Sequence, residues 1–210
     1  MRHPSSRPTT IRARQNPDRA SYEREDIHRI LDAGYFAHLA FVHDGMPVNT
    51  PMMYWRDGDY VYWHGSTKSR AMTASEGDPV CIAVTHFDGL VFAKSAFHHS
   101  ANYRSVMIFG NAESAPDIRK TEQLHALMER IAPGRDATLR PLRDNELRAT
   151  KILRIPLDCV SAKVRSGPPV EDPRDVDWEV WTGVVPCKTQ FTKPVGAGDG
   201  DNDLGAPEIG

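Results

Sequence analysis

Three Asp-Gly pairs, Asp44-Gly45, Asp57-Gly58 and Asp88-Gly89, each sit between stretches in which apolar and polar residues alternate. Asp-Gly supplies the positive φ of a tight hairpin, and strand side chains alternate with period two, so the pattern confines much of the chain to antiparallel sheet. The expected strands are 36–43, 48–55 and 60–65, a meander, followed by a hairpin pairing 80–87 with 90–97. Another strand is expected over 103–113, and strand character resumes over 152–165 and 182–187. Val80-Cys81-Ile82-Ala83-Val84 is apolar on both faces. Such a strand is covered on two sides, which predicts a barrel with helices outside.

Helices fill the gaps. Ser21 precedes acidic residues and then Ile27, Ile30 and Leu31 at i, i+3, i+4, which predicts a helix ending before Gly34. A second carries Leu124, Leu127, Met128 and Ile131 over 117–131. Residues 1–20 hold five arginines, three prolines and no acid before Asp18, and are expected to be a disordered arm, because the prolines oppose an amphipathic transit helix. Gly, Asp and Pro mark a disordered tail over 189–210, leaving one folded domain at 21–188. A net charge of -2 argues against a nucleic-acid partner, and no apolar run is long enough to span a membrane. Three cysteines without CxxC spacing fit a reducing, cytoplasmic setting.

The stretch most suggestive of chemistry is Val61-Tyr62-Trp63-His64-Gly65-Ser66-Thr67-Lys68-Ser69-Arg70-Ala71-Met72. Val61 and Trp63 fall on one strand face, and Tyr60, Tyr62 and His64 on the other. His64 then ends the strand, Gly65 turns the backbone, and Ser66 caps a short helix whose first amides, at Thr67, Lys68 and Ser69, point outward. With two cations and the hydroxyls, this reads either as a phosphate cradle or as an ordinary helix cap.

Other candidates are weighed the same way. His98-His99 could ligate haem or a metal, but adjacent residues diverge and no third ligand is spaced for it, which favours loop hydrogen bonding. Trp178 and Trp181 suit core, interface or cofactor packing. Arg104 faces away from Ser105, as a structural ion pair would. No Ser-His-Asp set, Walker loop or HExxH motif is present.

Three runs together carry a resemblance: Tyr62-Trp63-His64-Gly65-Ser66-Thr67-Lys68-Ser69, then Asn102-Tyr103-Arg104-Ser105-Val106-Met107-Ile108-Phe109-Gly110, then Trp178-Glu179-Val180-Trp181-Thr182-Gly183-Val184-Val185-Pro186. Over roughly residues 22–188 the chain resembles the pyridoxamine 5'-phosphate oxidase-like flavoproteins, in the branch that includes nitroimidazole-resistance proteins. The resemblance implies a mainly β fold with flanking helices, a six-stranded antiparallel split β-barrel, and a homodimer with FMN between subunits. It implies that Ser66, Thr67, Lys68 and Arg70 hold the FMN phosphate and that Thr50, Pro51 and Met52 run beside the isoalloxazine. His64 and Gly65 would approach the ring and ribityl chain, Tyr103 and Ser105 would line the same groove, and Trp181 would cover the cofactor, from the same subunit or from its partner. The oxidase's own C-terminal Arg-Leu-like ending is missing here, which makes pyridoxamine phosphate a poor substrate.

The activity implied is an oxidoreductase that passes reducing equivalents from a nicotinamide donor through flavin to a small nitro-aromatic or quinone-like acceptor. His64 is the expected proton donor or hydrogen-bonding residue. A flavin sensor without turnover and a haem-binding split barrel are the alternatives. A deazaflavin would need a more basic groove.

Overall fold

In the computed structural model, which describes residues 12–196, the alternating stretches form an antiparallel sheet. Its strands are β1 (Ala20–Ser21), β2 (Phe36–His43), β3 (Met46–Asp57), β4 (Tyr60–Ser66), β5 (Pro79–Phe92), β6 (Ser100–Asn111), β7 (Glu113–Ser114), β8 (Thr150–Pro156), β9 (Val160–Arg165) and β10 (Gly183–Pro186). They lie in the order β1-β9-β6-β5-β2-β3-β4-β8-β7, with β10 also on β5. The path does not return to its start, so the sheet is open, as a split barrel is. Four helices accompany it: α1 (Arg24–Asp32), α2 (Arg70–Ser75), α3 (Lys120–Ile131) and α4 (Asp144–Ala149).

Asp44-Gly45 makes the expected turn, and the second hairpin turns one residue later than expected, at Gly58-Asp59, because Asp57 still pairs with Tyr60; φ is positive at Asp44, Gly45 and Gly58. The third pair does not turn the chain. Residues 80–92 run through as one strand, and Asp88-Gly89 forms a bulge in its pairing with β6. Two interactions hold the bulge. Arg104 grips the Asp88 carboxylate through Nε (2.9 Å) and Nη2 (2.8 Å), and β10 docks so closely that a Cβ on Gly89, at φ +151°, would stand 2.6 Å from the Val185 carbonyl oxygen. The chain reverses instead over 93–99, through a 3-10 turn at Ala96–His98. The stretch 152–165 is likewise two strands rather than one, since β8 stops at Pro156.

One face of the sheet is closed by α1 and α2. Ile27, Ile30, Leu31 and Met72 pack there with Val61, Trp63, Ile82 and Ile108, and the burial of these apolar surfaces drives the fold. Among the described residues the other face carries a buried cluster where α3 lies on Trp55, Tyr62 and Ile152. There Trp55 donates to Gln123 Oε1 (2.9 Å), and Gln123 donates on to Asp57 (2.7 Å). The strand-face assignment of Val61 and Trp63 against Tyr62 therefore holds. Cys81 and Ala83, expected to be covered, are half-buried on the uncovered face.

Part of the expected arm is structured. Ala20 and Ser21 pair with β9, and Lys163 donates to the Gln15 carbonyl (3.0 Å). At the other end Phe191, placed in the expected tail, packs edge-on against Tyr35 at 5.7 Å. The rest of the arm and tail, 1–11 and 197–210, lie outside the described residues.

Candidate functional site

Strand β3 changes partner along its length. Up to Met53 it pairs with β2, and from Tyr54 to Asp57 it pairs with β4. Beyond Trp63, β4 pairs only with β8, as far as Ser66. The two strands thus part between Met53 and His64, and the turn 66–70 stands at the mouth of the split.

That turn is built differently from the cap expected. Gly65 is ordinary strand rather than a left-handed turn; its need is steric, because a Cβ would meet Met72 Cγ at 2.8 Å. The amides expected to point outward are spent: Thr67 N donates to Ala149 O (2.9 Å), Lys68 N to Ser66 Oγ (3.2 Å) and Ser69 N to Ser66 O (2.9 Å). Ser69, not Ser66, stands at the N-cap of α2. What remains for an anion is a set of side chains. Lys68 and Arg70 are exposed and pair with no acid among the described residues, and the Thr67 and Ser69 hydroxyls make no hydrogen bond there. Unpaired cations beside free hydroxyls form a charge-assisted donor set for a phosphate.

Neighbours that sequence spacing could not reveal complete this corner. A cavity of about 250 Å³ is lined by Thr67, Thr150, Lys151, Ser114, Asp117 and Lys120. Thr150 and Lys151 arrive through strand pairing with Ser66 and Gly65, a register that links positions more than eighty residues apart. Both lysines are already engaged, Lys151 with Glu76 and Lys120 with Asp117.

From this corner the uncovered face runs across the sheet. Register places Pro51 beside His38, His38 beside Ala83, Ala83 beside Met107 and Met107 beside Ser161. Phe36 (61% exposed) and Met107 (43%) add apolar surface. Thr50, Pro51 and Met52 divide between faces, with Pro51 on this strip and Met52 packed against the inner core. Ser105 lies on the strip, its hydroxyl donating to Lys163 O (3.2 Å), and Tyr103 lies on the same strand face.

His64 sits between turn and strip with its ring centroid 6.1 Å from that of Trp55. Although the side chain reaches solvent, desolvation by its surroundings lowers the imidazole below the ordinary 6.5, which favours the neutral ring. Trp181 is elsewhere in the chain: β10 carries it to the far half of β5, where its ring lies 5.8 Å from Phe92. One chain therefore does not bring Trp181 to the turn 66–70. Arg104 is the ion pair expected. Among the described residues no group of His, Cys, Asp or Glu is arranged to hold a metal ion, and no helix is long and apolar enough to cross a membrane.

An open antiparallel sheet that parts at one pair of strands is the architecture of a split barrel, and here cations and hydroxyls stand at the mouth of the split. Residues 23–164 match the pyridoxamine 5'-phosphate oxidase family, and the chain belongs to that family. Among solved structures, the flavocytochrome Anf3 from Azotobacter vinelandii is 36% identical, with a TM-score of 0.91 over 96% of this chain and 94% of that one. A FAD and heme binding protein from Mycobacterium smegmatis is 38% identical, with a TM-score of 0.86 over 90% and 94%. A protein named for 5-nitroimidazole antibiotic resistance, from Bacteroides thetaiotaomicron, shares the fold at 19% identity, with a TM-score of 0.57 over 69% and 86%. No curated protein matches the chain in sequence.

Proposed function

We propose that the protein is a flavin-dependent oxidoreductase that works as a homodimer in the cytoplasm. The observation that carries this reading is the position of Lys68, Arg70, Thr67 and Ser69, without acidic partners, at the mouth of the β3–β4 split and at one end of the bare strip. A phosphate on those side chains leaves a ring system to lie over Pro51, His38 and Ala83, an apolar and nearly flat floor. Two neighbours above 35% identity are named for a flavin together with haem. They support a flavin, and the FAD in one name favours the dinucleotide over the FMN expected from sequence.

The flavin supplies hydride and electron chemistry, and the protein supplies binding, orientation and access. Neutral His64 is the side chain placed to hydrogen-bond a ring or substrate oxygen, or to deliver a proton to a reduced acceptor. The electron donor in this reading is a nicotinamide, and the acceptor a small nitro-aromatic or quinone-like molecule. A second copy of the chain supplies the opposite wall: the strip carrying Phe36 and Met107 has no cover among the described residues.

A second reading adds haem, because the flavin neighbours at 36% and 38% identity are both named for a haem or cytochrome as well. One experiment addresses both. The absorbance spectrum of the purified protein should show flavin bands, and a Soret band if haem is present. Lys68→Ala should weaken flavin binding by about 10- to 100-fold, the value of one charge-assisted bond. A protein that stays colourless when flavin is supplied overturns the flavin reading.

A further inference from the structure

On the α3 face of β4 a row of aromatic rings begins at His64 and runs the length of the strand. Alternation puts Tyr60, Tyr62 and His64 on one face, and register sets Trp55 of β3 opposite Tyr62. The Trp55 ring stacks on that of Tyr62 at 5.7 Å and 17°. Tyr62 meets Tyr60 at 6.2 Å, and Trp55 meets His64 at 6.1 Å. Each gap is that of rings in contact. The row leads from the mouth of the split to the turn at the other end of β4, about 13 Å along the strand.

Packing alone is a poor reason for these residue types. Trp55 and Tyr62 are buried, and leucine or phenylalanine there would bring no polar atom inside. The fold instead supplies a partner: Gln123, 1% exposed, accepts the Trp55 Nε1–H (2.9 Å) and is itself held by Asp57 (2.7 Å). An amide oxygen accepts a hydrogen bond but is no base at neutral pH, so Trp55 keeps its proton when it loses an electron. The charged neighbours of Tyr62 include Arg154 and Arg119, and a guanidinium takes up no proton either.

Tyr60 differs from both. It reaches solvent, and the Arg154 guanidinium lies over its ring at 4.2 Å. A cation on that face makes a positively charged ring costly. Loss of an electron from Tyr60 therefore goes with loss of its phenolic proton, which water is there to take. The row thus has a buried indole that holds its proton at one end and a wet phenol that can release one at the other.

We propose that Trp55, Tyr62 and Tyr60 carry one-electron oxidising equivalents from the mouth of the split to solvent, with Trp55 as entry and Tyr60 as exit. The oxidant is an oxidised flavin excited by light beside His64, and in this the inference rests on the flavin reading. Trp55 gives the oxidant one electron and becomes a radical cation. Tyr60 returns one electron to Trp55 through the stacked Tyr62, releases its phenolic proton to water and is left as a neutral radical. A thiol in solution then gives Tyr60 a hydrogen atom. The net change is one electron from thiol to oxidant, one proton to water and one thiyl radical. Transfer of electrons in pairs needs no such path. An electron removed singly leaves a radical at the site, and the row moves it to a ring that solvent reductants reach.

The test attaches a ruthenium polypyridyl photo-oxidant to the full-length protein through His64→Cys, with Cys187→Ser removing the exposed native thiol, and follows radicals by transient absorbance after a laser flash. This arm needs no flavin. A neutral tyrosyl radical should appear, and Trp55→Phe should slow its formation by about tenfold or more. Tyr60→Phe should remove most of the tyrosyl signal and leave a tryptophan radical cation in its place. That variant loses only the hydroxyl of a half-buried ring, so it should fold, and circular dichroism checks both. Absence of a tyrosyl radical, or one indifferent to Tyr60→Phe in a folded protein, overturns the proposal. In a second arm, protein with His64 intact is loaded with FAD, and Trp55→Phe should brighten the emission of the bound flavin. A relay that works from the attached oxidant, in a chain that binds no FAD or whose bound FAD does not brighten, sinks the flavin reading at this site alone.

Discussion

Gly65 illustrates how a right residue can be read for a wrong reason. Its position before a hydroxyl-rich run marks a turn in sequence, whereas in the fold it is strand, and its missing side chain makes room for Met72. Gly65→Ala should cost about 1–3 kcal/mol through overpacking against Met72, measured by urea denaturation, and truncating Met72 as well should return part of that loss. A double variant no more stable than predicted from the sum of the single changes would show that Met72 is not the obstacle. The histidines give a pH signature. Desolvation lowers the His64 imidazole, and burial followed by the Arg56 charge lowers that of His28. Folding thus favours the neutral rings, and the unfolded chain takes up protons first as pH falls below about 6.5. Stability should be complete above that value and decline below it, toward the folded-state pKa values. A urea midpoint at pH 5.5 should be lower than at pH 7.5, and His64→Gln should narrow the gap; an unchanged gap removes His64 from the account.

Among elements, what could be read was whatever depends on local period and turn chemistry. The β2–β3–β4 meander, the apolar stripe of α1 and the division of β4 into two faces all follow from spacing of a few residues. Asp88-Gly89 was misread because the same dipeptide serves a hairpin and a bulge, and the choice is made by partners distant in sequence: Arg104 on Asp88 and β10 on Gly89. The expected phosphate cradle failed in its backbone part for a similar reason. The acceptor that takes the Thr67 amide, Ala149 O, lies on the far side of a helix and a long excursion of chain. Gly89→Ala forces a Cβ into the Val185 carbonyl and an unfavourable backbone region, and should cost about 1–3 kcal/mol or more. Hydrogen exchange should report it locally, with the amides of β10 losing protection before those of β2; uniform loss across the sheet would mean that the bulge does not act locally.

On the scale of the whole molecule, one sheet has a plugged face and a face that, among the described residues, is covered under α3. The strip from Pro51 to Met107 is the surface that the homodimer proposal buries, and a charge on it tests the proposal. Met107→Asp should shift the protein toward monomer in light scattering and release flavin in proportion. A mutant that remains dimeric would place the interface elsewhere. Family membership was legible from three separated runs because each lies on a strand or turn that shapes the split barrel, while the long-range register that adds Lys151 and Thr150 to the corner was not. The undivided strand β5 has a further consequence for the chain as it is made. Its far half takes Gly183–Pro186 as partner, about ninety residues later. At a synthesis rate of roughly 5–20 residues per second, that edge waits about 5–20 s for its own partner. Over that interval its open backbone groups are a template for any neighbouring nascent chain, so yield in rapid expression should depend on chaperone supply more than on the stability of the finished fold.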